Sequence, residues 1–183
     1  DPSATWSQSS SRCGRPSVTI KWDRFSPKAL RSICESTRRL NIWHGAVRSS
    51  KTVSSIVRFL EFLATAPPGD ILISGKTERT VYRNILRPIQ DIVGRGNFHY
   101  ARNTGECTIA GRLCYVAGAN DERAEEKIRG MTLIGAYVDE ATVLPESFFR
   151  MLGTRLSLPG AKMFVTTNPD SPFHWLYTDY IQN

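Results

Sequence analysis

The chain has 183 residues, 40% of them apolar, and its 24 Lys and Arg against 17 Asp and Glu leave a formal charge of +7. That is enough apolar content for one core, and the basic excess favours a polyanionic partner such as nucleic acid or nucleotide over an acidic surface. Arg58, Glu61 and Pro67-Pro68 interrupt the longest apolar runs, which excludes a membrane-spanning helix from the pattern.

No apolar segment follows Asp1-Pro2-Ser3, so no secretory signal is expected. Cys13, Cys34, Cys107 and Cys114 are widely spaced with no C-x-x-C, and His44, His99 and His174 lie far apart. The spacing argues against structural zinc and for reduced thiols in a cytoplasmic protein.

Residues 1–17 are Ser-rich without a period and read as a flexible N-terminal arm; residues 18–183 read as one domain. Val18–Trp22 alternates like a strand. Ser26-Pro27 then opens a helix, Ser as cap and Pro in the first turn, with Ala29, Leu30, Ile33 and Cys34 at helical spacing. Leu40–Trp43 reads as a short strand buried on both faces. Val53, Ile56, Val57, Leu60 and Leu63 form a helical stripe, widened by Phe59 and Phe62 and ended by Ala66-Pro67-Pro68-Gly69.

Asp70–Ser74 is the next strand, followed by a turn at Gly75-Lys76-Thr77 and a helix from Glu78 to Leu86 that should stop near Pro88. A further amphipathic piece covers Ile89–Val93. Three short strands, Phe98–Tyr100, Glu106–Ile109 and Arg112–Val116, are joined by the turn signals Asn103-Thr104-Gly105 and Ala110-Gly111. Gly118–Gly130 is a charged loop with one or two helical turns. Met131–Val138 is a strand, Pro145–Leu152 a helix and Ala161–Val165 a strand, before an aromatic tail of Phe173, Trp175, Tyr177 and Tyr180. Strands alternating with helices predict an α/β fold: a mainly parallel central sheet flanked by helices, with a small antiparallel hairpin region.

Three strand ends carry chemistry. The first is Gly45-Ala46-Val47-Arg48-Ser49-Ser50-Lys51-Thr52, between an apolar strand and a helix. That layout places backbone N–H groups around phosphate oxygens, with Lys51 on the outer phosphates and the Thr52 hydroxyl on Mg²⁺. Ser50 holds the place of the second glycine of G-x-x-x-x-G-K-[ST], at a cost of about 1–2 kcal/mol if that position needs φ > 0. The same residues also fit a plain turn opening a helix, with Ser49 or Ser50 as cap. The second strand end is Val138-Asp139-Glu140, where Asp139 would hold Mg²⁺ through its water shell and Glu140 would polarise the attacking water. A capping pair for the following helix is the alternative. The third is Val165-Thr166-Thr167-Asn168, whose polar side chains suit either γ-phosphate sensing or a turn before Pro169.

Taken together, these motifs resemble the ATPase domain of the large terminase subunit of tailed double-stranded DNA bacteriophages, from about residue 22 to the C-terminus. Gly45–Thr52 is similar to its Walker A motif, with the Arg inside it that is typical of terminases. Val138-Asp139-Glu140-Ala141 is similar to Walker B, and Thr166-Thr167-Asn168-Pro169 to the motif that couples hydrolysis to movement. Ile128-Arg129-Gly130-Met131 also matches.

The resemblance implies a P-loop NTPase fold of the ASCE type that uses ATP and Mg²⁺. It implies that Gly45–Thr52 binds nucleotide, that Arg48 contacts the γ-phosphate, that Glu140 is the catalytic carboxylate and that Asn168 couples. Arg129 stands where the family places an arginine finger serving the neighbouring subunit. Trp22, Arg24 and Phe25 would lie near the adenine, and Ala29 stands where the family often has Gln. Implied partners are double-stranded DNA, the portal of the prohead, the small terminase subunit and further copies in a ring, in the cytoplasm of an infected bacterium, with no membrane. The family's RNase H-like nuclease domain has no counterpart here: Asp170 and Asp179 make no carboxylate cluster, so no nuclease activity is expected of this chain. A helicase-type P-loop motor, or a DNA- or capsid-binding domain inactive by itself, are the alternative readings.

Overall fold

The computed structural model describes residues 25–45, 50–120, 124–168 and 171–182. Val18–Trp22, Arg24, the loop residues Ala46, Val47, Arg48 and Ser49, and Pro169 and Asp170 lie outside the described residues.

Helix α1 (Pro27–Glu35) starts as its sequence requires: the Ser26 side chain accepts from Ala29 N–H at 3.2 Å, and Pro27 occupies the first turn. Strand β1 (Leu40–His44) leads through the loop to α2 (Lys51–Thr65). β2 (Asp70–Gly75) follows, then α3 (Glu78–Val81), a π turn at Tyr82–Leu86 and α4 (Arg87–Val93). Strands β3 (Phe98–Ala101), β4 (Glu106–Ile109) and β5 (Arg112–Gly118) form a meander. The chain closes through α5 (Ala124–Ile128), β6 (Leu133–Val138), α6 (Glu146–Arg155), β7 (Lys162–Thr167) and a π turn at Tyr177–Ile181.

All seven strands join one sheet in the order β1-β7-β6-β2-β5-β4-β3. β1, β7, β6, β2 and β5 are mutually parallel, while β3, β4 and β5 pair antiparallel. Five strands therefore deliver their C-terminal ends to one edge, the edge at which open α/β sheets take ligands. β7 is inserted between the strand that precedes the Lys51 loop and the strand that precedes Asp139.

α2 lies on the sheet through Ile56, Phe59, Phe62 and Leu63, all buried. Burying each such side chain contributes about 1.5–3 kcal/mol. β6 makes room for it at Gly135, where an added Cβ would come within 2.6 Å of the Phe62 ring. Phe59 and Phe62 both meet the Phe164 ring of β7, at 5.6 and 5.3 Å between centroids.

The structure corrects two sequence expectations. The apolar run Leu40–Trp43 predicts burial on both faces. Among the described residues β1 is instead an edge strand with alternating burial, Asn41 and Trp43 inward. The helix expected to stop near Pro88 continues to Val93, because the π turn spaces the backbone bonds differently: Arg87 N–H reaches back to Tyr82 O, and Pro88 falls in the first turn of α4. A proline is tolerated there because its missing N–H is not needed. In the hairpin region Ala110 and Gly111 both take positive φ, 48° and 82°, as a tight primed turn requires. Cys107 and Cys114 face each other across β4 and β5 as free thiols, and burial pushes both up to about 12.

Candidate functional site

A cleft of about 470 Å³ opens at the C-terminal edge of the sheet. One wall is the start of α2, with Ser50, Lys51, Thr52 and Val53. The other is the ends of β6 and β7, with Asp139, Glu140, Thr166, Thr167 and Asn168, closed on one side by Asn84.

Ser50 is the residue before α2 and sits in the left-handed region at φ 59°, ψ 10°, with no side-chain capping bond. The loop thus needs the conformation that a glycine supplies freely, and Ser pays about 1–2 kcal/mol to adopt it. The capping alternative for Ser50 does not hold. Lys51 begins the helix, and its side chain reaches back to Gly45. Its ammonium donates to the Gly45 carbonyl and, at 2.9 Å, to Asn168 Oδ1. The first and third sequence motifs, 117 positions apart, therefore meet at one ammonium group. Burial lowers the Lys51 pKa from the ordinary lysine value, and the nearby Glu140 carboxylate opposes that shift.

Asp139 is 5% exposed. Its Oδ1 accepts from the Thr166 hydroxyl at 2.8 Å and its Oδ2 from Asn84 Nδ2 at 3.0 Å. Thr166 Oγ1 also accepts from Glu140 N–H at 3.2 Å, so one hydroxyl of β7 fixes both residues at the end of β6. The sequence groups Thr166 with residues able to sense a γ-phosphate; its hydroxyl is instead committed to Asp139 and Glu140. Glu140 is left-handed, φ 50° and ψ 55°, a second non-glycine residue held against its preference in the same cleft. Such strain costs on the order of 1–3 kcal/mol and clusters at functional sites. Behind the cleft, Tyr137 Oη and Ser55 Oγ are 2.7 Å apart, which ties β6 to the N-terminal part of α2.

The structure brings together Gly45, Ser50, Lys51, Thr52, Asp139, Glu140 and Asn168. It does not bring Arg129 to them. Arg129 follows α5, pairs with Glu125 at 3.1 Å, and its carbonyl accepts from Arg155 Nη1 at 2.6 Å, at the edge where β6 begins. β6 itself spans about 20 Å at 3.3 Å per residue. Phe25 is partly buried and is not among the residues that line the cleft. Asn84 is the cleft residue that sequence reasoning missed, because its partner lies 55 positions away.

Among the described residues no three His, Cys, Asp or Glu side chains group to hold a metal unaided. One buried carboxylate and one hydroxyl facing a common cleft suit Mg²⁺, which is commonly held by one or two carboxylates plus substrate phosphates.

A lysine-headed helix opposite a strand-end Asp-Glu pair, with a strand that ends in polar residues between them, defines a P-loop NTPase fold. The large terminase of a thermophilic bacteriophage is similar at 25% identity and TM-score 0.73, over 87% of this chain and 43% of that one. The same protein solved in complex with ADP is similar at 26% identity and TM-score 0.74, over 86% of this chain and 42% of that one. The large terminase ATPase domain of a Thermus phage shares the fold at 15% identity and TM-score 0.55, over 81% of this chain and 66% of that one. No curated protein matches in sequence. The family model described as "Terminase large subunit, T4likevirus-type, N-terminal" matches residues 45–183, and the chain belongs to that family. It spans less than half the length of the first-named relative.

Proposed function

We propose that this chain is the ATP-hydrolysing motor domain of a viral DNA-packaging terminase, coupling hydrolysis to translocation of double-stranded DNA into a prohead. The observation that carries this reading is the junction at Lys51, where the loop helix, the Asp139-Glu140 strand end and Asn168 face one cleft. Family membership and a relative solved with ADP and with ATP-gamma-S support it.

Lys51 would release Gly45 and Asn168 to bind the outer phosphates. Thr52 and Asp139 would hold Mg²⁺, which when bound shields the phosphate charge. Glu140, fixed by Thr166, would orient a water in line with the γ-phosphorus and take its proton as the P–O bond to the β-bridging oxygen breaks, leaving ADP and phosphate. Asn168 would exchange its Lys51 contact for the nucleotide and report that exchange through β7. Arg48 would contact the γ-phosphate. Arg129, at the far edge of the sheet, would act on the site of a neighbouring copy in a ring, a contribution of about 10³–10⁵ in rate for such fingers. The basic surface suits double-stranded DNA. The portal of the prohead and the small terminase subunit complete the proposed assembly, in the cytoplasm of the infected bacterium.

The test is Mg²⁺-dependent phosphate release over a range of protein concentrations, with Glu140→Ala and Arg129→Ala measured alone and mixed. Turnover per chain that rises with concentration, is lost in each variant and partly returns on mixing is expected. Full turnover in Glu140→Ala alone would overturn the mechanism.

A further inference from the structure

Asn84 enters the cleft from the π turn at Tyr82–Leu86. π turns are uncommon and concentrate at functional sites. This one begins one turn beyond β2 and delivers an amide to the carboxylate at the end of β6. Asn84 Nδ2 donates to Asp139 Oδ2 at 3.0 Å. The other end of the amide faces Arg83, whose Nε donates to Asn84 Oδ1 at 3.2 Å. The two neighbours determine which way the amide points. A guanidinium has only donors and an ionised carboxylate only acceptors, so the amide oxygen must face the first and the NH₂ the second. Asp139 Oδ1 is already held by Thr166. Both oxygens of a nearly buried carboxylate are thus fixed, one from β7 and one from the π turn.

We propose that Asn84, oriented by Arg83, is a positioning residue that holds the Asp139 carboxylate in the orientation needed to receive a divalent cation or its water shell. The inference rests on the nucleotide reading of the cleft. It gives the π turn a purpose that packing alone does not: a regular α-helical turn would rotate every later residue, Asn84 included, around the axis. Losing an outer partner of a metal-binding carboxylate costs about 10–100-fold in metal affinity.

The test titrates Mg²⁺ against binding of a fluorescent ATP analogue. In Asn84→Leu, which keeps the branched outline and removes the donor, the Mg²⁺ concentration for half-maximal binding should rise about tenfold or more, while Mg²⁺-free binding is unchanged. Arg83→Ala, an exposed substitution that leaves the turn's packing intact, should shift the titration the same way by less, and it decides the matter if Asn84→Leu does not fold. Arg87→Ala, exposed on the next turn, should not move it. Wild-type protein that responds to Mg²⁺ beside unshifted Asn84→Leu and Arg83→Ala overturns the inference and leaves the nucleotide reading standing. An equal loss with and without Mg²⁺ marks a packing role and overturns it too. Wild-type protein that binds no analogue at any Mg²⁺ concentration overturns the nucleotide reading, and this inference with it.

Discussion

β5 and β6 both pair in parallel with β2, one on each side, and leave the sheet at the same edge. Ala119 N–H donates to Gly75 O and Asp139 N–H to Ser74 O, each at 2.8 Å. The two strands differ beyond their last paired residues. β5 runs out through Gly118 and Ala119 to an exposed Asn120, and its opposite flank turns back into a hairpin that satisfies its own bonds. β6 runs out to a buried carboxylate held from two sides and a left-handed Glu140. Backbone pairing to β2 carries both strands to the edge in the same way. The site is added by polar groups that would rather be elsewhere and are kept in place by β7, α2 and the π turn.

The largest test of that contrast is substitution at the two exits. Glu140→Ala should lower ATP turnover about 10²–10⁴-fold with nucleotide binding kept, whereas Asn120→Ala should change neither; phosphate release and nucleotide titration read both. A pH series sharpens the same point. Because burial lowers the Lys51 pKa, its ammonium is lost at lower pH than an ordinary lysine's, so nucleotide affinity should fall as pH climbs towards the usual lysine range. Lys51→Arg, which stays charged, should show no such fall across that range.

Smaller effects test the supports. Tyr137→Phe removes the hydroxyl that joins β6 to Ser55. It should cost about 0.5–1.5 kcal/mol in denaturant unfolding, since the Ser55 hydroxyl keeps its bond to Thr52 O at 3.0 Å. Ser50→Gly should do the reverse. It removes about 1–2 kcal/mol of left-handed strain and adds about 0.5–1 kcal/mol of chain entropy to the unfolded state, a net effect between about zero and a gain of about 1.5 kcal/mol. Destabilisation by that substitution would mean that Ser50 contributes a contact worth more than its strain.

Much of this is legible in the sequence because it is local. The α2 stripe, the apolar strands and the Ala110-Gly111 turn follow from periods of 3.6 and 2 and from turn chemistry. Asp139 and Asn168 stand out because apolar strands run out beside them, and Lys51 because it stands between a strand-and-loop signal and the α2 stripe; the fold then has little freedom in where it puts strand ends. The rest depends on pairs far apart in sequence. Nothing near Asn84 signals a carboxylate 55 positions on, and nothing near Thr166 signals that its hydroxyl serves β6 rather than a phosphate. The π turn escapes a helical period by being an exception to it, which is why Pro88 reads as a stop. β1 reads as doubly buried because a short apolar run looks the same at the centre of a sheet and at its edge.

The central claim is that the cleft headed by Lys51 is a nucleotide site. Titration of wild-type protein and Lys51→Ala with an ATP analogue in Mg²⁺ tests it most directly, with unfolding curves run beside it to show that both are folded. Saturable binding by the wild type, lost in a folded Lys51→Ala, is the result predicted here. Equal affinity in the two proteins would contradict it, because the ammonium that joins Gly45 to Asn168 would then have no part in holding phosphate.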